Sequence, residues 1–239
     1  MEIFGPVIQG EGIMAGQQTL FVRFGGCDYR CSWCDSLHSV LPDLVKRDRT
    51  FMNPDEIVKK LLSLVGGKAS GYSVTLSGGN PAMHDLQVLV RELRMHGFII
   101  ACETQGTIWP AWFCDLDVLT LSPKPPSSGN TTDVGDAFVA QMNQMDEDVE
   151  VCVKVVVFTE DDFFYARDAY HVLNEQLDDF TFYLQPGTPV DTNGLTDIQG
   201  TVLERTAKII DMLVADGSMP TARVLPQVHA LIYGHERGR

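Results

Sequence analysis

The sequence has few positive charges for its size. Its 239 residues include 18 Lys or Arg against 32 Asp or Glu, so the formal net charge at pH 7 is -14. A surface that binds nucleic acid in general needs clustered basic side chains. The composition therefore argues against direct nucleic-acid binding and favours a small-molecule partner.

Long apolar runs are lacking as well. No stretch approaches the roughly 18 residues that a membrane-spanning helix needs. The opening M-E-I-F-G-P has neither the basic region nor the apolar region of a secretory leader. We therefore expect no association with a membrane, and we expect a cytoplasmic location.

A fourth cysteine is missing from the one dense cysteine group. Cys27, Cys31 and Cys34 lie in G-G-C-D-Y-R-C-S-W-C-D-S, with C-x3-C-x2-C spacing. A 4Fe-4S cluster normally binds four thiolates, so a loop with three leaves one iron open to a small molecule. A Cys3His zinc site that includes His38 is an alternative, although structural zinc more often uses two separated ligand pairs. A plain structural or redox role is another.

The remaining cysteines, Cys102, Cys114 and Cys152, are dispersed singly through the chain. Isolated cysteines in a reducing compartment usually behave as small buried hydrophobes. We predict that role for all three.

Apolar runs of strand length recur along the chain, and most of them are continuous. Continuous runs are typical of parallel strands that are covered on both faces. Helical patterns lie between several runs, and the alternation repeats about six times, which is too few for a closed eight-stranded barrel. We predict one α/β domain over residues 1–239, an open partial (β/α)6 barrel with small insertions. The predicted strands are Thr19 to Phe24, Ser73 to Leu76, Phe98 to Cys102, Val118 to Leu121, Val151 to Phe158 and Thr181 to Leu184.

Helix signals are clearest at Asn53-Pro54-Asp55-Glu56, where Asn53 can cap a helix and Glu56 can complete a capping box. Three apolar stripes are predicted to face the core: Val58, Leu61, Leu62 and Val65; Leu86, Leu89, Val90 and Leu93; Leu203, Ala207, Ile210 and Val214. Three polar stretches are predicted as loops or small insertions, and the last of them as a candidate lid: Ser36 to Asn53, Ser127 to Asp133, and Pro186 to Gly200.

The cysteine spacing, with Trp33 before the third cysteine, resembles the radical S-adenosylmethionine superfamily. S-G-G-N-P from Ser77 resembles the superfamily's Gly-Gly-Glu-Pro motif, with Asn80 where Glu is usual, and L-S-P-K-P from Leu121 resembles a third cofactor-binding segment. All three motifs follow predicted strands, at the edge where barrels place their chemistry. The resemblance implies a 4Fe-4S cluster on the three cysteines. It also implies a set of S-adenosylmethionine-binding residues, namely Trp33, Cys34, Asp35, Gly78, Gly79, Ser122, Pro123 and Lys124.

Further segments, spread over nearly the whole chain, resemble the 7-carboxy-7-deazaguanine synthase family. They are G-P-V-I-Q-G-E-G, F-V-R-F-G-G-C, C-D-S, E-T-Q-G-T and R-V-L-P-Q-V-H. The resemblance implies a carbon-nitrogen lyase that converts 6-carboxy-5,6,7,8-tetrahydropterin to 7-carboxy-7-deazaguanine with loss of ammonia, in queuosine and 7-deazapurine biosynthesis. The tRNA is then modified by other enzymes.

The same resemblance implies roles for individual residues. Arg23 suits a substrate carboxylate, because a guanidinium can donate two parallel hydrogen bonds, and the hydroxyl of Ser36 is the implied Mg2+ ligand. His229 is expected to be structural. The full implied substrate-binding set is Ile8, Gln9, Gly10, Glu11, Arg23, Ser77, Glu103 and Gln105.

The resemblance also implies partners, namely a homodimer and an electron donor such as flavodoxin. Two other functions stay open at this point. A glycyl-radical enzyme activase shares the cysteine spacing but acts on a protein. A zinc-bound interaction module or an electron carrier would need no radical chemistry.

Overall fold

Eight strands form one sheet and follow one another in chain order across it. The structure, a computed structural model, describes residues 1–189, 197–234, 236 and 238. Strand β1 runs antiparallel to β2, and every later strand runs parallel to its neighbour. The strands are β1 Glu2–Ile8, β2 Gln18–Phe24, β3 Ser73–Gly78, β4 Ile99–Thr104, β5 Val118–Leu121, β6 Glu150–Val157, β7 Thr181–Pro186 and β8 Arg223–Val224.

The six predicted strands are β2 to β7, so the predicted open α/β sheet is confirmed. Most crossovers contain an α-helix, whereas β4 and β5 are joined through the 3-10 helix Ala111–Asp115. None of the described helices is long and apolar enough to cross a membrane. The α-helices are α1 Leu37–Val40, α2 Pro42–Asp48, α3 Pro54–Leu64, α4 Gln87–Met95, α5 Asp136–Met142, α6 Glu160–Gln176, α7 Ile198–Asp216 and α8 Val228–Tyr233.

The central strands are covered on both faces, as their continuous apolar runs predict. All four residues of β5 are buried, and in β3 only the last residue is partly exposed. Helices α3 and α4 supply part of that cover through Leu61, Leu89 and Leu93, which are fully or almost fully buried. The parallel strands therefore form a rigid base, and their carboxyl ends lie together at one edge of the sheet.

The predicted start of α3 is confirmed in detail. The side chain of Asn53 accepts a hydrogen bond from the Glu56 amide (3.0 Å), and the Glu56 carboxylate accepts one from the Asn53 amide (2.8 Å). This reciprocal pair satisfies two amides that a helix start otherwise leaves without partners.

The prediction for the third apolar stripe is wrong. Leu203, Ile210 and Val214 are 56%, 44% and 76% exposed, and Val202 and Ile209 face the core instead. Helix α7 carries apolar residues on two faces, so its periodicity does not decide which face meets the sheet.

Two of the predicted loop stretches contain helical residues in the structure. The stretch from Ser36 to Asn53 contains α1 and α2, and Pro42 begins the second of these at a position that suits proline. The stretch from Pro186 to Gly200 ends within α7, but residues 190–196, in the middle of the predicted lid, lie outside the described part of the chain.

Candidate active site

A cavity of about 310 Å3 lies at the edge where the parallel strands end. Neighbouring strands each contribute a polar or charged residue near their carboxyl ends, among them Arg23 of β2, Ser77 of β3, Glu103 of β4 and Gln185 of β7. This is the edge at which open α/β folds hold their ligands. The sheet therefore brings together residues that are far apart in the sequence.

Most residues predicted to bind cluster, cofactor or substrate line this one cavity. Gly10 and Pro123 do not line it, and a Cβ atom at Gly10 would lie 2.4 Å from Nδ1 of His229, itself a lining residue. The predicted residues that do line it are Ile8, Gln9, Glu11, Arg23, Cys27, Cys31, Trp33, Cys34, Asp35, Ser36, Ser77, Gly78, Gly79, Glu103, Gln105, Ser122 and Lys124.

The loop with the three cysteines is attached to the turn that follows β5. Ser32 donates from its amide to the carbonyl of Ser128 (2.9 Å), and Trp33 Nε1 donates to Ser127 Oγ (3.0 Å). The Trp33 ring packs against Phe158, with ring centroids 5.1 Å apart. These contacts place all three thiols, which are partly exposed, on the cavity wall.

Burial raises the pKa of the Cys34 thiol to about 11 and also raises the pKa of Cys31. The thiolate form that binds metal must therefore be stabilised by the metal itself. Of the isolated cysteines, Cys102 and Cys152 are buried as predicted. The prediction for Cys114 is wrong, because its 3-10 helix turns the thiol outward and leaves the residue exposed.

Two glycines let the backbone approach the cysteine loop. A Cβ atom at Gly79 would lie 1.9 Å from the carbonyl oxygen of Gly26, and one at Gly78 would lie 2.2 Å from that of Phe24. Gly78 also has a φ of 123°, which L side chains rarely adopt. Any larger residue here would separate the S-G-G-N-P segment from the cysteines, so the two motifs form one structural unit.

His38 does not complete a zinc site with the cysteines. Its Nε2 atom lies 3.2 Å from Nη1 of Arg23 and 3.5 Å from Oε2 of Glu2. Across the described ranges, no three His, Cys, Asp or Glu side chains are arranged to hold a single metal ion. The arrangement therefore does not support the Cys3His alternative.

Arg23 lies in the cavity wall and is already paired. Its Nη1 atom donates to Oε2 of Glu2 (2.9 Å), and its guanidinium carbon lies 5.2 Å from the centroid of the Phe4 ring. A guanidinium carries five N–H donors. The contact with Glu2 therefore orients Arg23 and leaves it able to donate to an anionic ligand.

A buried charge cluster lies deeper in the cavity. Lys154 pairs with Glu11, which also accepts from Gln227 (2.8 Å), and Gln9 Nε2 donates to Glu103 (2.9 Å). Burial disfavours the Glu11 carboxylate, but the charges of Lys154 and His229 and the hydrogen bonds from Lys154 and Gln227 together outweigh it, so the pKa of Glu11 is below its ordinary value. Burial raises the pKa of Glu103, and Lys154 offsets only part of that rise. Glu11 is thus held as an anion, while the pKa of Glu103 is shifted in the opposite direction.

The sequence-based analysis missed several residues of the cavity. Lys154 and Gln185 interrupt otherwise apolar strands, V-C-V-K-V-V-V and F-Y-L-Q-P, which is the signal that could have found them. In the portion of the chain that the structure describes, Gln185 Oε1 and Thr188 Oγ1 are buried without a hydrogen-bond partner. Buried polar atoms without partners are uncommon, and in a cavity they are suited to a ligand.

The residues predicted to contact S-adenosylmethionine and Mg2+ have local partners. Lys124 Nζ donates to the backbone carbonyl and the hydroxyl of Ser122 (both 2.9 Å), and burial lowers its pKa. Ser36 Oγ donates to Oδ1 of Asp35 (2.9 Å). These groups line the cavity beside Cys34.

An open parallel sheet with a three-cysteine loop at its carboxyl edge defines a radical S-adenosylmethionine enzyme, and residues 21–120 match the Radical SAM superfamily. Superfamily membership implies the 4Fe-4S cluster and S-adenosylmethionine. The crystal structure of QueE from Escherichia coli shares the fold, with a TM-score of 0.65 and 24% identity over 95% of this chain and 92% of that one.

Two relatives identify the family within that class. The chain is 39% identical to the 7-carboxy-7-deazaguanine synthase of Bacillus subtilis over 100% of its own length and 97% of the relative's. It is 40% identical to the enzyme of the same name from Bacillus cereus, again over 100% and 97% of the two chains. The chain belongs to the 7-carboxy-7-deazaguanine synthase family.

Proposed function

We propose that this enzyme converts 6-carboxy-5,6,7,8-tetrahydropterin to 7-carboxy-7-deazaguanine with loss of ammonia. The main observation in support is that the residues for the cluster and the residues for the substrate line the same cavity. The three-cysteine loop forms one wall, and Arg23, Gln9 and Glu103 supply a cation, an amide and a carboxyl group within reach of the same space.

The residues present fit the cofactors of the superfamily. Cys27, Cys31 and Cys34 would hold the cluster, and Gly78 and Gly79, which let the S-G-G-N-P segment lie against the cysteine loop, line the cavity in which S-adenosylmethionine would bind. When bound, these groups supply the electron and the organic radical with which the reaction starts. The orphaned oxygens of Gln185 and Thr188 offer acceptors to ligand N–H or O–H groups.

Substrate binding is assigned to the charged groups of the cavity. Arg23 would donate to the substrate carboxylate, and the Glu103 carboxyl would pair with the N–H-rich edge of the pterin while Gln9 fixes its orientation. Glu11 and Lys154 neutralise each other, so Arg23, which Glu2 orients, is the cation proposed to meet the substrate carboxylate.

For Mg2+, the proposed ligand is the hydroxyl of Ser36. Support comes from its place on the cavity wall and from Asp35, which can accept a hydrogen bond from a metal-bound water. Ser36→Ala should weaken the stimulation of turnover by Mg2+ without loss of iron, whereas Ser36→Thr should respond like the parent. Equal Mg2+ stimulation in the Ser36→Ala variant would place the metal ligand elsewhere.

For the electron donor, we propose flavodoxin, an acidic protein. Exposed Lys46, Arg47 and Arg49 lie on or just after α2, although Asp43 and Asp48 offset part of their charge. Val45 of the same helix packs against Gly25, at the start of the cysteine loop. Local basic charge next to a redox site favours encounter with an acidic carrier.

Charge reversal tests this docking site. Lys46→Glu should slow reduction by flavodoxin while leaving turnover with dithionite unchanged, and Lys59→Glu on α3 serves as the control. Equal flavodoxin-driven rates in Lys46→Glu, Lys59→Glu and the parent would exclude α2 as the docking site.

For the assembly, we propose a homodimer through α7. The exposed residues Leu203, Ala207, Ile210 and Val214 are spaced by four, three and four positions, as along the seam of paired helices. An antiparallel two-fold pairing would set Leu203 against Val214 and Ala207 against Ile210, so that large and small side chains alternate. Such self-complementarity is what a two-fold interface requires.

The oligomeric state of charged variants tests this interface. We expect the parent to be a dimer by light scattering, Leu203→Glu to be a monomer, and Val88→Glu, which alters an exposed apolar residue of α4, to remain a dimer. A dimeric Leu203→Glu variant would show that the interface does not involve α7.

A reducing compartment such as the cytoplasm is also proposed, since no described cysteine forms a disulfide.

The reaction itself is tested by anaerobic incubation of iron-reconstituted protein with S-adenosylmethionine, a reductant and the carboxytetrahydropterin. Mass spectrometry should find 7-carboxy-7-deazaguanine, and Cys31→Ala should yield none. S-adenosylmethionine cleavage without conversion of the pterin would contradict the proposed substrate. The activase alternative would require a protein substrate, and neither relative's name supports it.

A further inference from the structure

Asp28, next to the first cysteine, is held by three side chains from other parts of the fold. Its Oδ1 atom accepts hydrogen bonds from Asn80 Nδ2 (2.8 Å) and Gln105 Nε2 (2.5 Å), and its Oδ2 atom accepts one from Thr107 Oγ1 (2.6 Å). Asn80 follows β3, and Gln105 and Thr107 follow β4. Both carboxylate oxygens are therefore tied to the ends of two core strands.

The orientation of Asn80 is fixed by its own partners. Its Oδ1 atom accepts from the amide of Ala82 (3.2 Å) and from Thr104 Oγ1 (2.8 Å), and the residue has no exposed surface. A backbone amide can only donate, so the oxygen of Asn80 must face Ala82 and its nitrogen must face Asp28. The backbone amide of Asn80 also donates to the carbonyl of Gly26 (2.8 Å).

This arrangement gives a physical reason for an asparagine in a segment that resembles a Gly-Gly-Glu-Pro motif. Asn80 is buried, whereas Asp28 is exposed at the surface. A carboxylate at position 80 would face the Asp28 carboxylate, and the two like charges would repel. An amide at the same place donates to it. Asn80 and Asp28 therefore function as a matched pair.

Gln105 extends the contact to a cluster ligand. Besides Asp28, its Nε2 atom lies 3.7 Å from Cys27 Sγ, as a donor to sulfur. The side chain is almost fully buried. Partners that hydrogen-bond to metal ligands fix the geometry of those ligands, and hydrogen bonds to cluster sulfurs tune the reduction potential.

We propose that Asn80, Gln105 and Thr107 form a clamp on Asp28 that positions Cys27 for the cluster, and that Gln105 additionally raises the potential of the cluster through its contact with sulfur. These are positioning residues and need not touch the substrate. The inference rests on the cluster that the superfamily uses and not on the pterin reaction, so it can fail while the proposed function holds.

An exchange of the pair tests the clamp. Asn80→Asp should lose iron to a chelator roughly 10- to 100-fold faster than the parent, as is typical when a metal ligand loses its supporting partner. The double variant Asn80→Asp with Asp28→Asn restores a donor facing an acceptor at position 80. Gln105, which also donates to this atom of residue 28, can turn its amide so that Oε1 accepts instead, so the rate should return most of the way to that of the parent. Asn174→Asp, on the exposed face of α6, makes the same charge change away from the site and serves as the control.

Retention of iron by Asn80→Asp as in the parent would overturn the clamp. So would a double variant that is as labile as Asn80→Asp, or that fails to fold, because the proposal requires the second change to compensate for the first. Recovery in the double variant would show that a general loss of stability does not cause the iron loss in Asn80→Asp, because a second substitution would not reverse such a loss.

The potential provides the second readout. Gln105→Met removes the N–H donor at similar volume, and the midpoint potential of its cluster, measured by redox titration without S-adenosylmethionine, should be lower than that of the parent. An unchanged potential would show that Gln105 does not act on the Cys27 sulfur.

Discussion

Lys154 is the residue whose loss should affect the fold most through electrostatics. It is buried and pairs with Glu11, and the charges of Glu11 and Glu103 hold its pKa above the ordinary value despite burial. Lys154→Met would leave both carboxylates buried without a cation. Breaking a buried pair from one side typically costs about 3 to 5 kcal/mol. We expect that loss of unfolding free energy at neutral pH, measured by denaturant titration of the iron-free protein.

The loss of unfolding free energy in Lys154→Met should depend on pH, and the pKa shifts give its direction. In the parent, the lowered pKa of Glu11 contributes stability that is present above its ordinary value and is lost as pH falls through the lowered one. Without Lys154, burial raises the pKa values of Glu11 and Glu103. The deficit of the variant should therefore shrink as pH falls toward 5. A deficit independent of pH would assign the loss to packing, and adding Glu11→Gln should recover part of it.

Arg23 provides a prediction about binding. Removing one partner of a buried charge-assisted contact typically costs about 2 to 5 kcal/mol, or roughly 30- to several-thousand-fold in affinity. Arg23→Ala should bind S-adenosylmethionine nearly as the parent does and bind the pterin poorly, and Arg23→Lys should rescue only in part. Anaerobic titrations with the two ligands measure both effects.

Glu2 supplies the matched control for Arg23. Glu2→Gln removes the ion pair but leaves the guanidinium in place, so it should retain pterin affinity. If Glu2→Gln and Arg23→Ala weaken pterin binding equally, then the ion pair matters and not a direct contact with substrate.

At this scale, the sequence predicts residues that lie in ordered motifs and misses those that depend on three-dimensional pairing. The cysteines, Gly78 and Gly79 follow from spacing, and all of them reach the cavity. Lys154 also lines the cavity, but it cannot be predicted from spacing. Its partner Glu11 lies 143 positions away, and one lysine in an apolar strand forms no local pattern.

At the scale of elements, the capping box of α3 predicts a measurable stability effect. Asn53→Ala removes the acceptor for the Glu56 amide. Loss of such a cap typically costs about 1 kcal/mol. Thermal unfolding should show this loss, whereas Asn174→Ala, at an exposed position inside α6, should leave the stability nearly unchanged. Equal stabilities for Asn53→Ala and Asn174→Ala would show that the Asn53 cap does not stabilise the protein.

The elements that the sequence does not predict share a physical cause. Strand β1 contains Gly5-Pro6, residues that argue against a strand, and the structure places them at the irregularity in the β1–β2 register between Phe4 and Val7. Strand β8 has only two residues. In both cases hydrogen bonding to the neighbouring strand forms the strand, although the local sequence favours a strand weakly or not at all.

At the scale of the whole molecule, the alternation of continuous apolar runs and helical patterns is sufficient to predict an open parallel sheet. It does not predict which face of α7 is buried, since that depends on the neighbours of the helix. The single-domain boundary at 1–239 stays a prediction. The order of motifs along the chain gives the family, because each motif occupies the end of a particular strand.

The account depends most on one claim, that an iron held by only three cysteines faces the cavity and binds S-adenosylmethionine. The most direct measurement is the electron paramagnetic resonance spectrum of the reduced, reconstituted protein before and after S-adenosylmethionine is added. We expect a 4Fe-4S signal that changes on addition, because an iron without a cysteine ligand would be open to the cofactor, and no such signal in Cys34→Ala. A cluster spectrum that is unaffected by saturating S-adenosylmethionine would contradict it.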